Sequence, residues 1–100
     1  SSAASDVYKR QLYLANKTTL INIMEMVSGL FLSKDIVYQN GKPAYLVDLA
    51  KAFEWLFNIK IGDCYQKHED VIKRKPGKLT GFLNGLAELI KEEHDKKGYK

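Results

Sequence analysis

The chain has 100 residues, which is enough for one small domain, and 16 basic residues against 12 acidic ones give it a net charge of +4. This mildly basic balance fits a soluble domain as well as a nucleic-acid binder. No apolar run approaches the about 18 residues of a membrane span, and the single cysteine, Cys64, excludes an internal disulfide and a paired-thiol zinc site. These totals predict a protein of the reduced cytoplasm without a membrane partner.

Residues 1–11 (SSAASDVYKRQ) are predicted to lie outside the folded domain, because they are polar, rich in small residues and without period. Within them, DVYKRQ resembles the translation of a transposase sequencing adapter. We therefore treat 1–11 as a non-native, disordered segment. Residues 12–100 are predicted to form one domain, which we expect to be a fragment of a longer protein.

The first predicted helix follows an N-cap at Asn16 or Thr18. Its apolar residues recur at the 3.6-residue period of a helix: Leu20, Ile23, Met24, Val27, Leu30 and Phe31. The pattern then breaks at a short β-prone run, which is followed by the tight-turn dipeptide Asn40-Gly41 and by Pro43. This stretch predicts at most a minimal β-hairpin near residues 36–45.

The strongest helical pattern covers residues 46–57, where one apolar stripe contains Leu46, Leu49, Ala50, Phe53, Leu56 and Phe57. Asn58 suits the left-handed end of this helix, and Asp63 suits the N-cap of a third helix with a narrower stripe. After Pro76-Gly77 the same spacing returns at Leu79, Phe82, Leu83, Leu86, Leu89 and Ile90, before a charged tail that is expected to fray. The sequence therefore predicts a mainly α, compact four-helix domain.

Few residues could carry catalysis. Cys64 and His68 lie four apart on the third predicted helix, as a nucleophile–base pair or half of a metal site would. The more ordinary interpretation is that both line the buried side of that helix. His94 lies in the charged tail, and no phosphate loop, HExxH or GxSxG pattern occurs. We predict no enzyme, no cofactor and no metal site.

A basic cluster is the best functional lead. Lys73, Arg74, Lys75 and Lys78 bracket Pro76-Gly77, and Lys67 lies upstream on the third helix. Such a loop can neutralise phosphates. The alternative is a solvated turn whose cations suit the C-terminal end of the third helix dipole.

The second and third predicted helices are joined by a short connection, which is compatible with a helix-turn-helix. With the first helix and the β-prone run before them, the order matches a winged helix, in which residues 74–78 would occupy the wing position. Generic helix pairs show the same arrangement. Trp55 lies off the central stripe, where it packs on a missing N-terminal region or covers a neighbouring helix.

The assembled pattern resembles the C-terminal region of the RteC family over nearly all of residues 12–100. The resemblance rests on these segments: KTTL at 17–20, Asn40-Gly41, AKAFEWLFNI at 50–59, IGD at 61–63 with Tyr65, Arg74-Lys75, and Thr80 with Phe82-Leu83. The sequence departs from the pattern at Leu79, where a polar or basic residue is expected.

This resemblance implies a DNA-binding transcriptional regulator of bacterial mobile elements, typical of Bacteroides relatives, with winged-helix-like features. The expected partner is double-stranded DNA, with phosphate contacts from Lys67, Lys73, Arg74, Lys75 and Lys78 and with Gln66 as a base reader. The alternative is a protein-interaction or dimerisation domain of such a regulator, which would bind itself or another regulator without direct DNA contact.

Overall fold

The computed structural model describes residues 11–99 and is mainly helical. Its five helices are α1 (Leu20–Ser33), α2 (Leu46–Phe57), α3 (Cys64–Ile72), α4 (Pro76–Leu79) and α5 (Gly81–Lys96). Residues 11–99 contain no strand, so the mainly helical fold class is confirmed. The predicted non-native segment, apart from Gln11, lies outside the described residues.

The N-cap of α1 lies one residue after Thr18 and three after Asn16, the two predicted caps. Thr19, rather than Asn16 or Thr18, is the N-cap, and its hydroxyl accepts a hydrogen bond from the Asn22 N–H at 3.4 Å. At the other end Lys34 adopts a left-handed conformation with φ of 60°. Its N–H donates to the Phe31 carbonyl, which satisfies one of the free carbonyls of the last turn.

A tight turn connects α1 to α2, within the predicted hairpin region. Val37 and Pro43 form an isolated antiparallel bridge, and Gly41 supplies the positive φ of 88° that the turn needs. The Tyr38 hydroxyl accepts from the Tyr45 N–H at 3.0 Å and donates to the carboxylate of Asp48 in the first turn of α2. The turn is thereby attached to the start of α2.

The hydrophobic core lies between α1, α2 and α3. Met24 and Val27 of α1 form its centre and are almost completely buried. Around them lie the other buried apolar side chains: Ile23, Leu46, Leu49, Ala50, Phe53, Ile61, Cys64 and Val71. The stripe of α2 is therefore confirmed as a core face in its first two turns, whereas Phe57 is half-buried and Leu56 is exposed.

The last helix differs from its prediction in start, end and burial. Pro76, at the N1 position, begins the separate one-turn helix α4, so that Leu79 does not belong to α5. The charged tail continues as helix to Lys96 rather than fraying after Ile90. No residue of α5 is fully buried, because α5 packs chiefly on α1 and every residue of its second half, 87–96, is exposed.

None of the helices in residues 11–99 has the length and apolar character needed to cross a lipid bilayer.

Candidate nucleic-acid interface

Helix α3 is held in place at its N-terminus by two acidic side chains. Asp63 is its N-cap and accepts from the N–H groups of Tyr65 and Gln66 at 3.1 and 3.2 Å. Glu54 of α2 accepts from the Ile61 N–H at 2.7 Å, which fixes the connection that leads into α3. The angle between α2 and α3 thus depends on hydrogen bonds as well as on the core.

One exposed face of α3 brings together Gln66, Asp70 and Lys73. The Gln66 amide donates to Asp70 Oδ1 at 3.0 Å, and the Lys73 ammonium lies 3.4 Å from the same oxygen. The hydrogen bond from Gln66, assisted by Lys73, lowers the pKa of Asp70 below 3.8. A permanent negative charge therefore lies between the predicted base reader and one predicted phosphate contact.

Arg74 points inward rather than into solvent. Its Nη1 atom donates to Glu25 Oε1 at 3.0 Å, and its side chain is 23% exposed against 2% for Glu25. The second oxygen, Oε2, accepts from the Leu83 N–H at 2.7 Å. A single buried carboxylate on α1 thus anchors both the start of the basic bend (residues 73–78) and the first turn of α5.

Glu25 was missed from the sequence, because it adjoins the apolar stripe of α1 and no local pattern marks it. The signal lies in Arg74, 49 residues further along, and a pairing over that separation cannot be read from periodicity. The prediction that Arg74 binds a phosphate stays a prediction, since the guanidinium has further N–H groups.

The other predicted phosphate contacts are more accessible. Lys75 and Lys78 are exposed on either side of Pro76, and the Lys78 N–H donates to the Lys75 carbonyl at 2.8 Å. Lys67 is half-buried on α3. Within residues 11–99, none of these three lysines forms an ion pair with a carboxylate.

Cys64 and His68 lie in different surroundings, the first in the apolar core and the second beside a polar side chain. Cys64 is buried among apolar side chains. His68 Nδ1 instead shares a hydrogen bond of 2.8 Å with the hydroxyl of buried Ser28, and the His68 ring packs edge-on against Phe31. Among the described residues no group of three or more His, Cys, Asp or Glu is placed to hold a metal ion. The absence of an enzymatic activity stays a prediction.

The fold and this surface define a small helical domain with an accessible basic bend beside a capped, exposed helix. The family model described as "RteC protein" matches residues 7–97, and the chain belongs to this family. The predicted family resemblance is therefore confirmed. The winged-helix detail is not, because residues 74–78 form a bend and part of a helical turn where a β wing would lie.

The chain is also similar to Exportin-T of Chaetomium globosum, with 34% identity over 87 residues. The match covers 81% of this chain and 8% of that protein, so the chain spans a small fraction of its length. No solved structure matches the chain.

Proposed function

We propose that this domain is the DNA-binding part of a cytoplasmic transcriptional regulator of a bacterial mobile element, as in Bacteroides relatives. The observation that carries the proposal is the pair Lys75 and Lys78, which are exposed and form no ion pair with any carboxylate among residues 11–99. Lys67 and Lys73 add further positive charge on or next to α3. In the proposed complex these four lysines contact phosphates.

In this proposal the main role of Arg74 is to hold the basic bend in place. Its ion pair with Glu25 fixes the residue from which Lys75 and Lys78 continue, so the bend presents both ammonium groups from a rigid base. Helix α3 lies in the groove as the second helix of a helix-turn-helix. Gln66, in its first turn, would exchange its hydrogen bond with Asp70 for one with a base edge.

Salt dependence tests the proposal directly. Four phosphate contacts predict that log K for duplex DNA falls against log[salt] with a slope of about −3 to −4. Replacing Lys75 and Lys78 by Ala should make this slope shallower by about 2, measured by fluorescence anisotropy. The matched control replaces Lys42 and Lys51, which are also exposed and form no ion pair among the described residues. An affinity indifferent to salt, or an equal loss in the control, would contradict the proposal.

Base reading by Gln66 is tested separately. Gln66→Ala should reduce the difference in affinity between preferred and random duplexes while leaving the salt slope unchanged. A loss of affinity that is the same for all DNA sequences would show that Gln66 contacts the DNA backbone rather than a base.

One observation favours the alternative, an interaction domain without direct DNA contact. Trp55 of α2 is 75% exposed. Large aromatic side chains are enriched at protein interfaces. If a regulator partner binds here, Trp55→Ala should abolish its binding and leave DNA affinity unchanged, which distinguishes the two functions.

A further inference from the structure

A half-open cavity of about 240 Å³ lies where α1, the end of α3 and the start of α5 meet. Its surface is almost entirely apolar and includes Leu32, Ile72, Leu79 and Leu83. For comparison, an apolar cavity of about 150 Å³ is large enough to bind benzene. The space therefore fits a small apolar group, such as an aliphatic chain of about eight carbons.

The polar side chains around the cavity already have partners within the chain. Both carboxylate oxygens of Glu25 are occupied, and the Ser28 hydroxyl shares a hydrogen bond with His68. The Thr80 hydroxyl accepts from the Asn84 amide at 3.0 Å. Because the surface of the cavity is almost entirely apolar, burying a charged group in it would cost free energy. The charged end of any occupant must therefore remain at the mouth.

Gly29 forms part of the cavity wall in the interior of α1. Glycine destabilises a helix relative to alanine, because it loses more conformational freedom on folding. Nothing within the chain requires it here: its φ is not positive, and a methyl group would make an ordinary contact of 3.7 Å with Leu83 Cδ1. A larger side chain at this position would extend into the cavity. The glycine therefore keeps open, at a cost to the helix, a space that a side chain could have filled.

The basic bend borders the mouth of the cavity, because it connects the two lining residues Ile72 and Leu79. Of its four cationic side chains, Lys73 and Arg74 are paired with carboxylates. The two that are exposed and form no ion pair among residues 11–99 are Lys75 and Lys78. The bend therefore carries more positive charge than its partners neutralise, and this excess attracts an anion.

We propose that the cavity binds a small amphipathic carboxylate, with its apolar part between α1 and α5 and its carboxylate at the mouth beside Lys75 and Lys78. Ligand sites commonly combine an apolar cavity with a few polar groups that fix the orientation of the ligand. A cation of the same shape would be repelled by the bend, and a neutral molecule would gain nothing from it. This inference concerns the cavity and does not rest on DNA binding.

Isothermal titration calorimetry of the full chain with octanoate, below the concentration at which octanoate forms micelles, tests the cavity. Octanoate should bind saturably at a single site. Gly29→Leu, which fills the cavity from α1, should weaken binding by about tenfold or more. The matched control is Gly85→Leu on α5, because a Cβ at Gly85 meets nothing within 4 Å. This control should bind octanoate as the wild type does, and circular dichroism should show both variants folded.

Probes of equal chain length test the charge. Octylammonium should bind about tenfold more weakly than octanoate, because it meets the same lysines with the opposite sign. Lys75→Gln with Lys78→Gln should weaken octanoate binding by about three- to tenfold and leave octanol binding unchanged. Lys42→Gln with Lys51→Gln is the control and should change neither affinity.

Three results would overturn the proposal. Octanoate that does not saturate the wild type, or that binds Gly29→Leu equally well, would show that the cavity is not its site. Equal affinities for octanoate and octylammonium would exclude an anion as the preferred ligand. Self-association in sedimentation equilibrium that Gly29→Leu abolishes, without any octanoate binding, would assign the cavity to a second copy of the chain instead.

Discussion

Glu25 is an acidic residue whose two carboxylate oxygens have different partners in different elements. One oxygen faces Arg74 and the other accepts the Leu83 N–H. Burying a carboxylate costs several kcal/mol unless charge and hydrogen bonds compensate it, and here both do. The residue is therefore important for stability even though it contacts no predicted ligand.

Glu25→Ala should lower the free energy of unfolding by about 2–4 kcal/mol, somewhat below the usual cost of breaking a buried pair because Arg74 is partly solvated. The Leu83 N–H also loses its acceptor. Urea denaturation would measure the change. Lys91→Ala, which removes an exposed pair with Glu88, is the control and should cost less than about 0.5 kcal/mol. Equal losses in the free energy of unfolding for the two variants would show that the buried ion pair stabilises the fold no more than an exposed one.

Tyr38 makes the stability of the fold depend on pH in the alkaline range. Its hydrogen bond to Asp48 raises the pKa of the phenol above 10.0. Because the folded-state pKa is higher than the unfolded one, this interaction stabilises the fold fully below pH 10 and is lost as the pH rises through the raised pKa.

A titration followed by phenolate absorbance should therefore contain one tyrosine that ionises later than an unperturbed phenol. Tyr38→Phe should remove this late phase, and Asp48→Asn should shift it to lower pH. A late phase that persists in Tyr38→Phe would assign it to another tyrosine.

At the scale of elements, the hydrophobic core lies between α1, α2 and α3, whereas α5 contributes no buried side chain to it. Leu49 of α2 is buried in the core, whereas Leu89 of α5 is 63% exposed, although both belong to apolar stripes of the same spacing. The sequence pattern of the two helices is the same. What differs is the surface that each one meets.

Leu49→Ala should cost about 2–5 kcal/mol, because it leaves a cavity in the core. Leu89→Ala should cost less than about 0.5 kcal/mol in a monomeric sample. Thermal unfolding of both variants at low protein concentration would measure the difference. Comparable losses would mean that α5 is packed more tightly than the structure shows.

These elements also show how much the sequence could predict. Local signals were sufficient for α1, α2 and α3: the apolar period, Asn58 as the left-handed end of α2 and Asp63 as the N-cap of α3. The exposure of Leu89 and Ile90 could not be predicted, because a stripe shows that a face is apolar and not whether anything covers it. The inward turn of Arg74 depends on a carboxylate distant in sequence, which periodicity does not reveal.

At the scale of the whole molecule, the net charge of +4 conceals an uneven distribution. Cations concentrate at the basic bend, whereas near the end of α5 Glu92, Glu93 and Asp95 are balanced by Lys91, Lys96 and Lys97. Within the proposed DNA surface itself the negative charge of Asp70 opposes the positive charge of the lysines around it, and Gln66 and Lys73 lower the pKa of its carboxyl.

Asp70→Asn should consequently tighten binding to duplex DNA by roughly three- to tenfold at low salt, since it removes a repulsive charge and releases Lys73. Asp95→Asn removes the same charge from the far end of α5 and serves as the control in the same anisotropy measurement. If both substitutions tighten binding equally, net charge rather than the face of α3 governs the affinity.

The position of Glu25 beneath two segments has a mechanical consequence. Because one carboxylate attaches both the loop after α3 and the start of α5 to α1, neither segment can lift away without leaving a poorly solvated charge or N–H group behind. One side chain therefore joins the two segments to α1, and its loss should loosen both of them together.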